Sequence, residues 1–554
     1  MNEYLQLKKA NCKNCYKCIR SCPVKSIRFS DNQAIIINDE CILCGMCFVA
    51  CPQNAKQIRN DIDVVKKAIR AGKKVYASIA PSFIADFDVA GICDMEKILQ
   101  SLGFAQVQET AIGAEMVKKR YEQIIASRKQ SIIISSCCHS INSLIQKYYP
   151  AMLAYLAKVL SPMQAHCKLI KEQDPEAFTV FIGPCISKKQ EADLCDYTDV
   201  VLTFDDLRQW LDEEGIRIDE NQSDSYQGNK ARYFPTTGGI IKSMNKDEDF
   251  KYIAIDGVEN CIATFKELEE VNLKNVFIEM SACVGSCING PCIREHRSNC
   301  ALGAIKISDY AGENDYETYH LNDIDKQFGY VGLHNIMPGE QAIREVLIKM
   351  GKTDPSLELN CGSCGYNTCR EKAIAVCQGK ADLTMCLPFL KEKAESFSDN
   401  IISNTPNAIF VLDEDLIVQQ INNSACKLFN LKNPCDILHQ PIANLLDPIE
   451  YINVVRNDNN IYNKSHYIAE YNKFVDETII YDRQYHIIVS IMRDITETEK
   501  VQQENREIRQ RTIETMDKVI EKQMRVVQDI ASLLGETTAE TKIALTKLKE
   551  TLQK

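Results

Sequence analysis

Three cysteine peptides, far apart in the chain, hold the residues best suited to chemistry. They are Ser135-Ser136-Cys137-Cys138, Gly183-Pro184-Cys185-Ile186-Ser187-Lys188-Lys189-Gln190-Glu191 and Glu279-Met280-Ser281-Ala282-Cys283-Val284-Gly285-Ser286-Cys287. A Cys-x3-Cys pair plus two distant single cysteines supplies the four thiolates of a cubane iron–sulfur cluster. Lys188, three residues past Cys185, adds a positive charge beside that site. The chain has 26 cysteines in 554 residues. Many stand in Cys-x2-Cys clusters, where neighbours compete as disulfide partners but cooperate as metal ligands. A reducing, low-oxygen cytoplasm is the expected setting. Met1-Asn2-Glu3-Tyr4 shows no basic-then-apolar signal pattern, and no stretch is apolar enough to span a membrane. The net charge of −11 argues against nucleic acid as a partner.

The elements around these peptides predict a multidomain chain. Cys12-x2-Cys15-x2-Cys18-x3-Cys22-Pro23 is repeated as Cys41-x2-Cys44-x2-Cys47-x3-Cys51-Pro52. In this spacing the fourth cysteine of each run serves the other cluster. One cubane is expected on Cys12, Cys15, Cys18 and Cys51, the other on Cys41, Cys44, Cys47 and Cys22. Residues 1–60 resemble a two-cluster 4Fe-4S ferredoxin, an α+β electron relay, with a short strand at Ala34 to Ile37. From 61 to 345, apolar runs such as Val75–Ala80, Ser131–Ser135 and Phe178–Ile182 alternate with amphipathic stretches. This predicts an α/β domain with Cys138 and Cys185 on loops at strand C-terminal ends.

Residues 346–395 hold Cys361-x2-Cys364-x4-Cys369-x16-Cys386, which can bind a further 4Fe-4S cluster. Zinc takes the same four thiolates, and that alternative stays open. Residues 396–496 read as an α+β module closing on Asp494-Ile495-Thr496, and they resemble a PAS domain. His439 and His466 are expected to be solvated loop histidines there. Residues 497–554 read as a helical hairpin for dimerisation and output. Met516, Val519, Ile520, Val527, Ile530, Leu533 and Leu534 form one apolar stripe. Gly535 is a stop, and Thr537-x-x-Glu540 could cap a second helix. The last histidine is His486, so the tail carries no phosphoacceptor and is not expected to be a complete histidine kinase.

The three peptides match, in order and spacing, the signature segments of iron–iron hydrogenases, and residues 1–345 resemble that family. The resemblance implies an H-cluster, a 4Fe-4S cubane joined through a cysteine to a two-iron subsite. It implies cubane ligands Cys138, Cys185, Cys283 and Cys287, with Cys287 bridging. It implies that Lys188 donates to one cyanide and that Ala80-Pro81-Ser82 holds the other through backbone and hydroxyl. Cys137 corresponds to the proton-passing thiol and Glu191 to a nearby acidic position. Phe234 and Thr237-Gly238-Gly239 match a further segment.

The departures matter as much. Gly183 and Ser281 replace two methionines that pack on the two-iron unit, so a roomier and more polar pocket is expected. His139-Ser140-Ile141 replaces Pro-x-Trp. The acidic helix of the proton path reads Lys118-Lys119-Arg120-Tyr121-Glu122, and its hydroxyl position falls at Ala157. A relay passes protons only where each group is within reach of the next.

These features resemble the sensory branch of the family. The expectation is a hydrogen sensor with slow reversible turnover of H2 and protons, exchanging electrons with a ferredoxin or similar carrier. Signalling would run through the PAS domain and tail of a homodimer to a kinase or phosphatase. A catalytic ferredoxin-dependent hydrogenase and a non-catalytic iron–sulfur scaffold lacking the two-iron unit are the alternatives.

Overall fold

The computed structural model describes residues 4–8, 11–30, 33–217, 228–271, 273–293, 300–316, 323–333, 337–534 and 539–552. It divides into two units, Met1–Phe389 and Leu390–Lys554.

The first unit opens with two antiparallel ribbons. Strand β1 (Leu5–Leu7) and strands β2 (Ile27–Ser30) and β3 (Gln33–Ile36) precede β4 (Lys56–Ile58); β1 pairs with β4 and β2 with β3. The strands are short because two cysteine loops occupy most of the chain. Those loops repeat their backbone. Asn14 and Leu43, Tyr16 and Gly45, and Lys25 and Asn54 hold equivalent places in the two runs, all with positive φ. Alternating left- and right-handed residues turn successive N–H groups inward, a backbone cradle for an anionic group.

Two parallel sheets follow. Strands β5 (Val75–Ile79), β6 (Gln106–Glu109), β8 (Phe178–Gly183) and β9 (Val200–Thr203) lie in the order β6-β5-β8-β9. Strands β7 (Ile132–Ile134), β10 (Lys251–Asp256) and β11 (Val276–Ser281) lie in the order β10-β11-β7. β7 is Ile-Ile-Ile and fully buried, and β8 is buried over five of its six residues. Near-continuous apolar strands covered on both faces are what a parallel sheet requires. The two cores are separate, one around Val75, Ile79 and Leu202, the other around Ile134, Ile141 and Ile278.

The expected boundary at 345/346 falls inside the helix Glu340–Lys349. Ile343, Leu347 and Met350 pack there with Ala373 and Cys386, so this helix belongs with the small cysteine segment. The boundary at 395/396 likewise falls inside the helix Leu387–Asn404.

The second unit is built on one antiparallel sheet of five strands. These are β12 (Ala408–Asp413), β13 (Val418–Ile421), β14 (Ile461–Ile468), β15 (Lys473–Asp482) and β16 (Ile487–Asp494), ordered β13-β12-β16-β15-β14. This is a PAS fold. Asn422 ties it locally: its Oδ1 accepts from Ala425 N at 2.8 Å and from Ile409 N at 3.0 Å, joining helix start to strand. His439 has a left-handed backbone outside the strands. His466, expected on a loop, lies on β14 and lines a cavity of about 480 Å³ with Tyr451 and Glu477. Its place on the strand follows from its pairing with Val475. A helix Thr496–Leu534 continues from the sheet, and Ala539–Leu552 returns against it. Lys549 pairs with Asp517 at 3.0 Å, and Met516, Val519 and Ile520 share a groove with Leu545 and Leu548. Val519 and Ile530 stay about half exposed. Gly535 and Thr537 lie outside the described residues. Among the described residues no helix is long and apolar enough to cross a membrane.

Candidate metal centre

The candidate centre lies where the C-terminal ends of the two parallel sheets meet. β5 runs into Ala80-Pro81-Ser82 and β8 into Pro184-Cys185; β7 runs into Cys137-Cys138 and β11 into Cys283. A cavity of about 110 Å³ is lined by Pro81, Ser82, Cys137, Cys138, Cys185, Lys188 and Cys287, among others. Cys283 joins through its electrostatic interactions with Cys185, Cys138 and Cys287. The four proposed cubane thiols are thus neighbours.

Cys138 and Cys283 are half-buried while Cys287 is exposed, and loss of solvent pushes the Cys138 and Cys283 thiols up. Thiols so desolvated ionise only when a metal supplies positive charge. The donor set therefore fits an iron–sulfur cluster. Among the described residues no three His, Cys, Asp or Glu side chains are placed to hold a single metal ion; cubane ligands bind four separate irons and do not converge on one point.

Two further observations bear on a larger group. Ser82 Oγ is buried without a hydrogen-bond partner. Such a hydroxyl costs about 1–3 kcal/mol unless something in the cavity meets it. Lys188 Nζ donates to the Cys137 carbonyl at 3.2 Å and pairs with Glu191. An ammonium has three donors, which leaves one for the cavity that Lys188 lines. Burial alone would lower its pKa, but Glu191, Cys185 and Cys137 raise it above the usual value.

Glu191 does not line the cavity. It stands behind Lys188 and reaches Lys326 at 3.4 Å. Burial would raise its pKa, yet Lys188, Lys326 and His139 outweigh that and hold it down to about 2. It is therefore a charged anchor across the accessible pH range. Glu191→Gln leaves Lys188 a buried cation without its carboxylate. The apoprotein is expected to lose about 3–5 kcal/mol of unfolding free energy, read by denaturant unfolding.

The proton side differs from a carboxylate relay. Cys137 Sγ lies 3.2 Å from Tyr121 Oη. Tyr121 Oη lies 3.2 Å from Ser136 Oγ, which donates to the Val159 carbonyl at 2.9 Å. Burial pushes the Cys137 thiol up to about 12 and the Tyr121 phenol well above its usual value.

The space at Gly183 is filled from its own strand. A Cβ at Gly183 would come within 2.7 Å of the Phe181 ring, so that ring occupies the space a side chain at 183 would need. Met163 also lines the cavity and supplies a thioether from another element. The walls are mostly apolar because Phe181, Met163, Phe234 and four prolines form them. His139 joins Ser82, Thr110 and Lys188 as a polar wall residue: its Nδ1 is buried without a partner, while Nε2 meets Gln190 Oε1 at 3.1 Å.

The other thiols fall into sets. Cys18 interacts with Cys12, Cys15 and Cys51. Cys41, Cys44 and Cys47 each interact with Cys22. Cys369 interacts with Cys386, and Lys372 with both Cys364 and Cys386. Cys361 is exposed and meets Ser363. Sequence reasoning missed the lysines Lys25 and Lys372. A signal was present: both stand three residues after a proposed ligand, as Lys188 does.

Comparison with known proteins agrees with this layout. Residues 73–291 match the family described as iron only hydrogenase large subunit, C-terminal domain. Residues 4–52 match a 4Fe-4S dicluster domain, 358–388 a putative Fe-S cluster segment and 396–461 the PAS fold. Iron hydrogenase 1 of Clostridium pasteurianum is 26% identical over 308 residues, 43% of this chain and 53% of that protein. The periplasmic iron hydrogenase large subunit of Nitratidesulfovibrio vulgaris is 28% identical over 187 residues, 29% of this chain and 44% of that protein. The cytosolic Fe-S cluster assembly factor NAR1 of Yarrowia lipolytica is 22% identical over 176 residues, 28% of this chain and 36% of that protein. The chain spans about half, or less, of the length of these relatives. A solved FeFe-hydrogenase of Chlamydomonas reinhardtii superposes with a TM-score of 0.40 at 16% identity, covering 50% of this chain and 100% of that one. Residues 73–291 thus carry an iron-only hydrogenase large-subunit domain, preceded by a 4Fe-4S dicluster domain and followed by a small iron–sulfur segment and a PAS domain.

Proposed function

We propose that the chain detects hydrogen at an H-cluster and turns it over slowly. Cys138, Cys185, Cys283 and Cys287 would hold the cubane, and the two-iron unit would sit beside Cys287 in the same cavity. That unit, when bound, supplies reversible cleavage of hydrogen. Pro81, Ser82 and Lys188 line the same cavity and would meet its ligands, and the mostly apolar walls would exclude water. Cys137 takes or gives the proton.

The termination of its hydrogen-bond path carries the proposal of slow turnover. From Cys137 the bonds run to Tyr121, Ser136 and then the Val159 carbonyl, which has no proton to pass on. The site can meet hydrogen while protons leave it slowly, a property suited to a sensor. Electrons leave toward the ferredoxin-like domain and an external carrier. The PAS domain and the half-exposed tail stripe, paired in a homodimer, pass the signal to a downstream protein.

The similarity to NAR1 favours a second reading, an iron–sulfur scaffold without the two-iron unit. The unpartnered Ser82 hydroxyl and the spare Lys188 donor support the first, since a bare cubane gives them nothing to meet. Infrared spectroscopy of protein reconstituted with the two-iron cofactor tests both. Carbonyl and cyanide bands that change between hydrogen and argon are expected. Full iron loading with no such bands would establish the scaffold.

A further inference from the structure

The small cysteine segment is built into the ferredoxin-like domain. Ile19, Cys22, Phe29 and Cys47 share one buried core with Cys364 and Tyr366. Phe29 N donates to the Lys380 carbonyl at 2.8 Å, and Lys380 pairs with Glu40 at 2.8 Å. Gly365 has a φ of +93°, and a Cβ there would lie 3.0 Å from Ile19; the close approach requires glycine.

Lys25 bridges the joint. Its Nζ donates to the Gly365 carbonyl at 3.0 Å and to those of Ile19 and Arg20 at 3.2 Å. It interacts with Cys22 on one side and Cys364 on the other. At the opposite end of the same thiol set, Cys44 interacts with Cys283 of the central site. The set of Cys22, Cys41, Cys44 and Cys47 therefore lies between the central site and the small segment. In the other ferredoxin-like set Cys18 packs against the same core, while its Cys15 is exposed.

Inside the small segment Lys372 is 1% exposed. Its ammonium donates to the Asp382 carbonyl and interacts with Cys364, Cys386 and the Asp382 carboxylate. Reducing a cubane adds one negative charge, and a buried cation beside its ligands stabilises that state. Lys56 interacts with both Cys18 and Cys47 and so favours neither ferredoxin-like set. Lys147 beside Cys41 faces two carboxylates, Asp39 and Glu40, against the single carboxylate and two thiols beside Lys372.

We infer that the small segment is a docked electron trap, filled from the cluster of Cys22, Cys41, Cys44 and Cys47 and held reduced by the ammonium of Lys372. In the filling step the donor cluster is oxidised by one electron and the small cluster is reduced by one. No bond or proton moves. Hydrogen oxidation or an external carrier re-reduces the donor. This deepens the proposed function and rests on one part of it, 4Fe-4S clusters in both segments; it does not need hydrogen to react at the central site.

The test is a mediator-driven electron paramagnetic resonance titration of the full reconstituted chain, without hydrogen. Loss of one signal in Cys369→Ser assigns the small cluster. Lys372→Met is expected to lower that cluster's midpoint by at least a tenfold change in its reduction equilibrium, about 59 mV for a one-electron couple. Lys372→Arg is expected to restore it, and the other midpoints should not move. Magnetic coupling is expected to the signal lost in Cys41→Ser. If Lys372→Met does not fold, Lys372→Gln, which keeps an N–H donor for the Asp382 carbonyl, is expected to lower the same midpoint. Unmoved midpoints at full iron content, or coupling instead to the signal lost in Cys12→Ser, would overturn the trap alone. Zinc in the native small segment would overturn the cluster assignment and the trap with it.

Discussion

On the proposed function, a Tyr121→Glu, Ala157→Ser variant is expected to turn hydrogen over faster than the native chain, by a factor on the order of 10², the lower end of what a positioned acid–base group contributes. Tyr121 is the first group that the Cys137 thiol meets. Its phenol is buried and pushed well above its usual pKa, so it neither takes nor gives a proton readily near neutrality. A carboxylate there can do both. Ala157 is fully buried in the same core as Tyr121 and Cys137, and a hydroxyl at that place offers the next step. The substitution also removes a ring that packs on Phe277 at 5.4 Å, a loss of roughly 3–5 kcal/mol in stability. Turnover and stability therefore move in opposite directions. Hydrogen-driven dye reduction measured beside denaturant unfolding reads both. A variant that loses stability without gaining rate shows that proton exit does not limit the native protein.

Much of this site was legible because its signals are local. Two cysteine runs with matched prolines set the ferredoxin-like loops, and the backbone repeats left-handed residues at equivalent places in both runs. The apolar runs before Cys138 and Cys185 set parallel strands, and strand ends set the loops that carry the thiols. What sequence reading missed depends on distant packing. Gly183 announces a missing side chain, but only the fold shows Phe181 reaching back into that space. Tyr121 looks like one more residue of a basic helix until its phenol is seen against Cys137. The joint between Lys25 and Gly365 links residues separated by most of the first unit, and no periodicity encodes it. His466 reads as a loop histidine because β14 is mostly polar, with Ile461-Tyr462-Asn463-Lys464-Ser465 exposed or partly so. Edge strands facing water lack the apolar alternation that reveals a strand. The borders at 345/346 and 395/396 fall inside helices, and a helix carries no mark of where one core ends and another begins.

Lys188→Met abolishes the carbonyl and cyanide infrared bands and lowers hydrogen turnover by roughly 10²–10³-fold, if the centre holds a two-iron unit. That magnitude follows from breaking a buried charged interaction, about 3–5 kcal/mol, at 1.4 kcal/mol per factor of ten. The native ammonium is fixed by the Cys137 carbonyl and Glu191, so its remaining donor is aimed before any ligand arrives and little ordering is lost on binding. Methionine keeps the length and apolar stem but offers no donor. Arginine is not expected to rescue, since its planar fork cannot occupy the place of a compact ammonium held at two points. The iron of the other clusters and their paramagnetic signals should persist, because Lys188 touches none of those thiol sets. In a bare cubane scaffold the same substitution would meet no infrared bands to remove and would shift only the cubane's midpoint, the response expected when a cation leaves the neighbourhood of Cys185. The two readings therefore part at one side chain. The orphaned hydroxyl of Ser82, on a separate loop of the same cavity, gives an independent check: Ser82→Ala should weaken retention of the two-iron unit in the first case and leave a scaffold unchanged in the second.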